Sequence, residues 1–411
     1  MYTDFNRMGG DLEPMDTDSK PRQIYEDIRS AAGSAASDIV AWRREFHQFP
    51  ELAYEENVTA SRITAALDAM PGIEVVRGLG APTSVIGLLR GDIEAPSLVL
   101  RADMDALAIE EETGLPFSSG FPGVMHACGH DCHMASLLGA ARILSERADM
   151  LKRPVVFLFQ PAEEGRGGAR KILQGGFLER FNVGEVLGLH FWPQMPFGQM
   201  ATRPGILTAI SDRIHVEISG STAHAASPHL GVDATLVAAH ILITLQSLIS
   251  RELDPQATAV ISFGRMEAGD AYNIVPGKAH LWGTLRTFDE QCREFLQKRL
   301  EEMIPLTARA HKAMASVEYT RNYPPVVNDP ELTGRVFEKA ADFFEEKDQV
   351  LRLERPLLAG EDFAFYSLRI PSCFMLFGTG SEVGLHHPCY DVPEDLLPAA
   401  AAWEACLALD L

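Results

Sequence analysis

Val155-Val156-Phe157-Leu158-Phe159-Gln160-Pro161-Ala162-Glu163-Glu164-Gly165 decides the fold. Five consecutive apolar, β-prone side chains without polar alternation read as a strand buried on both faces, and the run empties into two adjacent carboxylates. Three other runs end in the same way. Leu98-Val99-Leu100 leads into Arg101-Ala102-Asp103-Met104-Asp105, Val186-Leu187-Gly188-Leu189 into His190, and Cys373-Phe374-Met375-Leu376-Phe377 into a Gly-rich loop carrying His386 and His387. In open α/β sheets ligands gather outside the carboxyl ends of the strands. Four strands that deliver acids and imidazoles there predict one site at one end of one sheet.

The densest chemistry lies just upstream, in Met125-His126-Ala127-Cys128-Gly129-His130-Asp131-Cys132-His133. Three histidines, two cysteines and an aspartate within nine residues make a poor apolar core, because each buried polar group needs its own partner. They suit a transition metal, which takes thiolate, neutral imidazole and carboxylate ligands. A nucleophilic Cys128 assisted by His130, with Cys132 or His133 nearby, is the competing reading and would need no metal.

Arg101-Ala102-Asp103-Met104-Asp105-Ala106-Leu107, His126 to Asp131, Pro161-Ala162-Glu163-Glu164 and Leu385-His386-His387-Pro388 resemble, in order, the signature of the M20 metallopeptidase family. More narrowly they resemble its amidohydrolase branch of hippurate, N-acyl-amino-acid and auxin-conjugate hydrolases. The resemblance runs from about Trp42 to about Asp391, with similar text at Pro50-Glu51-Leu52, Asn273-Ile274-Val275-Pro276 and Gly360-Glu361-Asp362-Phe363. It implies an α/β zinc-peptidase-like catalytic domain with a central, mostly parallel sheet, interrupted by a smaller α+β lid or dimerisation domain. It also implies a two-metal centre held by Cys128, His130, Glu164, His190 and His386. Five ligands do not saturate two ions, so a bridging water or hydroxide would occupy the open positions as the nucleophile, its pKa lowered toward about 7. Mn²⁺ or Zn²⁺ is expected, and Co²⁺ or Ni²⁺ is compatible with the same donors.

Glu163 is expected to be the general base and acid, since neighbours on an extended segment point in opposite directions and so do different jobs, one ligating while the other faces the metal-bound water. Asp103 and Asp105, spaced i, i+2, share one face of the strand end, where a carboxylate could orient a ligand histidine. Other M20 branches carry a metal-binding histidine where Asp103 stands, so both aspartates stay outside the ligand set. The resemblance gives His224 the role of polarising the scissile carbonyl from the opposite subunit of a homodimer, and gives Asn273 and Arg286 the substrate's carboxylate. His47 reads as a helix end packed against the core. His215, His240, His280 and His311 read as surface or core groups, and Cys292, Cys373, Cys389 and Cys406 as small buried apolar side chains. His126, His133, His229 and His387 are near enough in sequence to support the cluster.

A chain of 411 residues, 46% of them hydrophobic, exceeds what one core of about 250 to 300 residues serves, so two domains are expected. The texture places them at 21–204 with 323–411, and at 205–322, behind an acidic, disordered tail over residues 1–20. Alternating strands and helices precede His190, and an antiparallel α+β pattern runs from Ile214 to Thr320. A net charge of -21 opposes nucleic acid and anionic membranes. The apolar stretch Leu236 to Leu245 reads as too short to span a bilayer. Six scattered cysteines and the lack of an apolar leader point to a reducing, cytoplasmic setting. The expected function is metal-dependent hydrolysis of the amide C–N bond of a small N-acyl amino acid or related conjugate. The alternative electrophiles are a dipeptide, a carbamoyl group, or an activated aromatic carbon that loses an amine. Ala108, Thr222, Ala223 and Pro371-Ser372 depart from the branch pattern, and changes near His224 or residues 371–373 would reshape the substrate pocket.

Overall fold

A computed structural model of the chain describes residues 20–91 and 94–411. The tail expected over residues 1–20 lies, but for Lys20, outside them. The chain divides into two compact units: one is built from the residues up to Leu207 with Val326–Pro356 and Asp362–Leu411, the other from Thr208–Pro325 with Leu357–Glu361. These divisions lie a few residues beyond the boundaries read from texture. Gly205-Ile206 still pairs with Val327-Asn328, and Leu207 N–H donates to the Val326 carbonyl. The 357–361 segment goes with the smaller unit because Thr208 bridges to Leu357 and Ala209 N–H donates to the Ala359 carbonyl.

The larger unit holds an eight-stranded sheet in the order Ile73–Arg77, Val85–Leu89, Val155–Gln160, Ser97–Asp103, Val183–Trp192, Ser372–Gly378, Met200–Thr202, Val350–Arg352. Its four inner strands, from Val155–Gln160 to Ser372–Gly378, are mutually parallel, so their carboxyl ends lie together. Antiparallel pairs flank them, which makes the sheet mixed with a parallel heart. All six residues of Val155–Gln160 are buried, as a strand covered on both faces requires. Helices Lys20–Gln48, His130–Ser145 and Leu396–Asp410 pack on one another, and Gly139 permits the approach: a Cβ there would lie 2.6 Å from Ile39 Cδ1.

The smaller unit is a four-stranded antiparallel sheet, ordered Ala259–Ala268, Lys278–Thr287, Ile210–Ser219, Met314–Tyr323. Alternation at Ile214, Val216 and Ile218 puts the apolar side chains into a core shared with helices Ala234–Ser247 and Glu290–Ala310. Asp233 and Asp289 cap these helices by accepting from Thr235 and Leu236 N–H and from Cys292 N–H respectively. The first helix does not stop at Leu245. It continues as a π-turn to Glu252, and the run of 19 residues contains an 18-residue window with a mean hydropathy of 1.3, long and apolar enough by those measures to cross a bilayer. One face, Val237, Ala238, Ile241 and Leu245, is instead committed to the core of this unit.

Candidate metal centre

The cysteine loop turns into a helix at Gly129, whose φ of +82° is left-handed and suits a residue without Cβ. His130 is therefore the first residue of the helix His130–Ser145, with Cys128 just before the turn. His386, also left-handed at φ 64°, is stitched to this loop by its N–H, which donates to the Ala127 carbonyl at 2.8 Å. The ligand atoms of Cys128, His130 and His190 lie within 4.8 Å of one another, and so do those of Cys128, Glu164 and His386. Five residues from four segments thus form two groups that share one thiol. Cys128 Sγ is 3.5 Å from His190 Nε2, and His386 Nε2 is 3.1 Å from Glu164 Oε1 without hydrogen-bond alignment.

Backbone carbonyls fix the imidazoles. His130 Nδ1–H donates to the Asp105 main-chain oxygen at 2.8 Å, and His190 Nδ1–H to the Phe191 carbonyl at 2.7 Å. Both rings then present Nε2 to the cluster, and His130 Nε2 is buried there without a hydrogen-bond partner. Ligand histidines are held in this way, through the other ring nitrogen. Burial disfavours a charge on His130, yet Asp103, Asp105 and Glu164 outweigh it and raise its pKa to about 10. The acids around these rings call for a cation. A soft–borderline set of one thiolate, three imidazoles and one carboxylate fits two transition-metal ions. Burial, then Glu164, Glu163 and Asp103, push the Cys128 thiol well above its ordinary pKa. That is the reverse of what a cysteine nucleophile needs and weighs against the metal-free reading.

Glu163 and Glu164 are not separated by strand alternation. They sit in a short helical turn, Glu163–Arg166, where Glu164 departs from helical geometry at ψ 70° and Gly165 is left-handed. Asp105 organises the turn: its Oδ1 accepts from Glu163 N–H at 2.8 Å and its Oδ2 from Glu164 N–H at 3.0 Å. Asp105 therefore holds His130 through its main-chain oxygen, with its carboxylate Oδ1 3.6 Å from the same ring nitrogen, and holds the two glutamates through that carboxylate. Glu163 is 6% exposed, and its Oε1 accepts from Asp362 N–H at 3.3 Å.

Asp103 is wholly buried and bound to Arg101 Nη1 at 2.7 Å and His133 Nδ1 at 2.6 Å. His133 Nε2 accepts from Phe191 N–H at 2.9 Å, so both its nitrogens are engaged. Asp103, His130 and His133 converge closely enough to suggest a further ion, but His133 has no lone pair to offer it. Arg101 also reaches Gln160 and Asp362, which ties two strand ends to the turn before the short helix Ala364–Ser367. His126 is buried with both ring nitrogens lacking partners, and burial lowers its pKa to about 3.

His47 is more than a packed helix end. Its Nδ1 lies 2.7 Å from Asp131 and its Nε2 3.2 Å from Glu111, while Arg43, one helical turn earlier, joins Asp131 and Asp391. The pair clamps the residue next to His130. Arg43 and His47 are spaced i, i+4, which places them on one helix face and was readable in the sequence. Arg101, Asp362 and Glu56 carried no comparable local signal.

Within the smaller unit, His224 and Asn273 lie on a two-stranded arm in which His224 pairs with Ile274, and Ala225 N–H donates to the Asn273 carbonyl. His224 is exposed, and its Nδ1 accepts from Ala226 N–H at 3.1 Å, which leaves Nε2–H as the donor of the neutral ring. Arg286 stands on the strand Lys278–Thr287 opposite Ser211, and Gly360 accommodates it: a Cβ there would lie 2.5 Å from Arg286 Nη1. His215, His280 and Trp282 stack on one another, and His240 stacks on His311. His229 and His387 are exposed. Cys292, Cys373 and Cys406 are buried as expected, whereas Cys389 is only half-buried. Ser372 and Cys373 are buried at the start of their strand, the end opposite His190 and the other candidate ligands, so they do not shape a pocket beside that cluster.

The sequence profile of peptidase family M20/M25/M40 matches residues 99–409. An N-acetyl-L-cysteine deacetylase of Bacillus subtilis is 37% identical over 397 residues, covering 97% of this chain and 92% of the relative. An Arabidopsis thaliana protein, IAA-amino acid hydrolase ILR1-like 4, is 38% identical over 379 residues, covering 90% and 84% respectively. The crystal structure of the Bacillus subtilis YXEP protein, a dinuclear metal binding peptidase of the M20 family, superposes with a TM-score of 0.75 at 34% identity and covers 92% of this chain and 98% of that one. Ordered motifs, a mixed α/β sheet with ligands at its carboxyl edge and these matches agree that the chain belongs to peptidase family M20/M25/M40.

Proposed function

We propose that this chain is a metal-dependent amidohydrolase that cleaves the acyl–nitrogen bond of N-acylated amino acids, with Cys128, His130, Glu164, His190 and His386 holding two divalent ions, Mn²⁺ or Zn²⁺. The observation that carries the reading is the pair of ligand groups sharing the buried Cys128 beside Glu163. Relatives named as an N-acetyl-L-cysteine deacetylase and an IAA-amino acid hydrolase support an acyl group on an amino acid as the substrate class. When bound, the ions supply Lewis acidity that polarises a carbonyl and makes water a competent nucleophile near neutral pH.

Glu163 takes the proton from the attacking water and hands it to the nitrogen as the C–N bond breaks, which contributes about 10²- to 10⁴-fold. The products are a carboxylic acid and an amino acid. Arg286, a planar fork matched to a carboxylate, and Asn273 bind the amino-acid end. His224 donates Nε2–H to the developing oxyanion. Its arm also exposes Leu230 (73%), Tyr272 (100%) and Ile274 (50%), which favours a homodimer in which a second copy covers them. Six free cysteines favour a reducing compartment such as the cytoplasm.

The test is hydrolysis of N-acetyl- and N-benzoyl-amino acids, dipeptides and carbamoyl compounds by chelated enzyme with and without added Mn²⁺ or Zn²⁺. Metal-restored release of acid plus amino acid is the expected result. Turnover of dipeptides or carbamoyl compounds alone would keep the centre and replace the substrate, and activity indifferent to chelation would overturn the mechanism.

A further inference from the structure

Glu56 opens the helix Asn57–Asp68 as its N-cap residue, yet its side chain makes no capping bond. Glu51 does that work instead: its two carboxylate oxygens accept from Val58 and Thr59 N–H at 3.1 and 2.8 Å. Glu56 is thereby released to point elsewhere. Fully buried at 0% exposure, it accepts from Thr83 Oγ1–H at 2.6 Å through Oε2 and from Ala162 N–H at 3.0 Å through Oε1, across 106 residues of sequence.

Ala162 immediately precedes Glu163 and adopts φ 58°, ψ 44°, the left-handed conformation that a side chain disfavours. Its N–H is the first of three in succession, Ala162, Glu163 and Glu164, that each end on a buried carboxylate, the first on Glu56 and the next two on Asp105. The turn also closes on itself, since Gly168 N–H donates to the Ala162 carbonyl and a Cβ on Gly168 would lie 1.7 Å from the Pro161 oxygen. A strained turn persists only where its surroundings over-determine it. Burial of Glu56 raises its pKa to about 7, the expected cost of placing an acid where no cation answers it.

We propose that Glu56 is a positioning residue for the general base: by holding the Ala162 N–H it keeps the Glu163 turn in its left-handed entry, and so aims the Glu163 carboxylate. The role of Glu163 rests on the hydrolase reading above, while the hold on the turn does not.

The experiment compares Glu56→Ala, Glu56→Gln and the parent enzyme by steady-state kinetics, metal content, and hydrogen exchange of the peptide spanning residues 158–168. Glu56→Ala is expected to lower kcat on the order of 10²-fold, the scale of a misplaced catalytic group. KM should change little, both ions should remain, and exchange at the Ala162 amide should accelerate. Glu56→Gln should restore most of the rate and the protection, because an amide offers an oxygen to Ala162 and an N–H₂ to Thr83. Unchanged kcat in metal-loaded Glu56→Ala, or unchanged exchange at Ala162, would overturn the proposal. Loss of metal in Glu56→Ala would overturn it too, by assigning Glu56 to the ligand Glu164. Should Glu56→Ala fail to fold, Thr83→Val, which removes only the hydroxyl that orients Glu56, must show a smaller fall in kcat and faster exchange, and no change there refutes the role. If the parent enzyme turns over none of the substrates, the exchange comparison still decides whether Glu56 holds the turn.

Discussion

The cysteine loop and the His224 arm are built in opposite ways. Every residue from His126 to His133 is buried, and the rings of His130, His133 and His190 are each fixed by a main-chain or carboxylate partner. On the arm His224, Asn273 and Tyr272 are exposed, and the pairing consists of two short strands of two residues each. Groups that must sit within a fraction of an ångström of a reacting atom belong on rigid, packed segments. Groups that meet a variable substrate or a second copy can sit on an adaptable one. Bond-breaking power is therefore expected to reside in the first region, and substrate choice and completion of the site in the second.

The sharpest way to break this contrast is at Cys128, the atom common to both ligand groups. Cys128→Ala is expected to lose both ions together and to abolish turnover while the fold survives, as metal analysis and circular dichroism would show. Loss of a single ion would refute the sharing. Next comes Glu163→Gln, for which kcat should fall about 10²- to 10⁴-fold with metal content and KM nearly unchanged. On the arm, His224→Ala should reduce kcat by about 10²- to 10³-fold, the cost of one oxyanion donor. Retained activity there would remove the arm from the chemistry.

A smaller, pH-dependent effect belongs to the packed region. Although burial alone would lower its pKa, His47 between Asp131 and Glu111 is raised from 6.5 to about 9. A raised pKa in the folded state means that the proton stabilises the fold: the contribution is complete below pH 6.5 and vanishes as pH rises through about 9. It amounts to at most about 3 kcal/mol by the linkage of pKa to stability. Melting temperature followed from pH 6 to 10 should fall over that window in the parent chain and lose most of that slope in His47→Gln. An identical slope in both would take the charge off His47.

The buried run Val155–Phe159, the four ligand-bearing strand ends and the antiparallel alternation at 214–218 were legible because burial imposes a period that a linear reading detects. The ligand candidates were legible because a dense mixture of thiol, imidazole and carboxylate has few structural uses. Misreadings arose wherever a side chain's partner is distant. His47 looked like packing because Asp131 and Glu111 lie 84 and 64 residues away. Glu56 carried no signal that singled it out, and the Glu163-Glu164 pair looked extended because nothing local announces a left-handed alanine.

The sequence by itself determined which segments are buried, where strands and helices begin, and which residue types could hold metal, since these follow from periodicity and from the chemistry of single side chains. Tertiary structure alone decided that five candidate ligands from four segments form two groups around one sulfur, that Asp103 turns to Arg101 and His133, and that Glu56 and Asp105 grip the turn carrying Glu163. Hydrogen bonds and metal ligation act over about 3 Å in space. The chain closes such distances only after the sheet has brought its strand ends together.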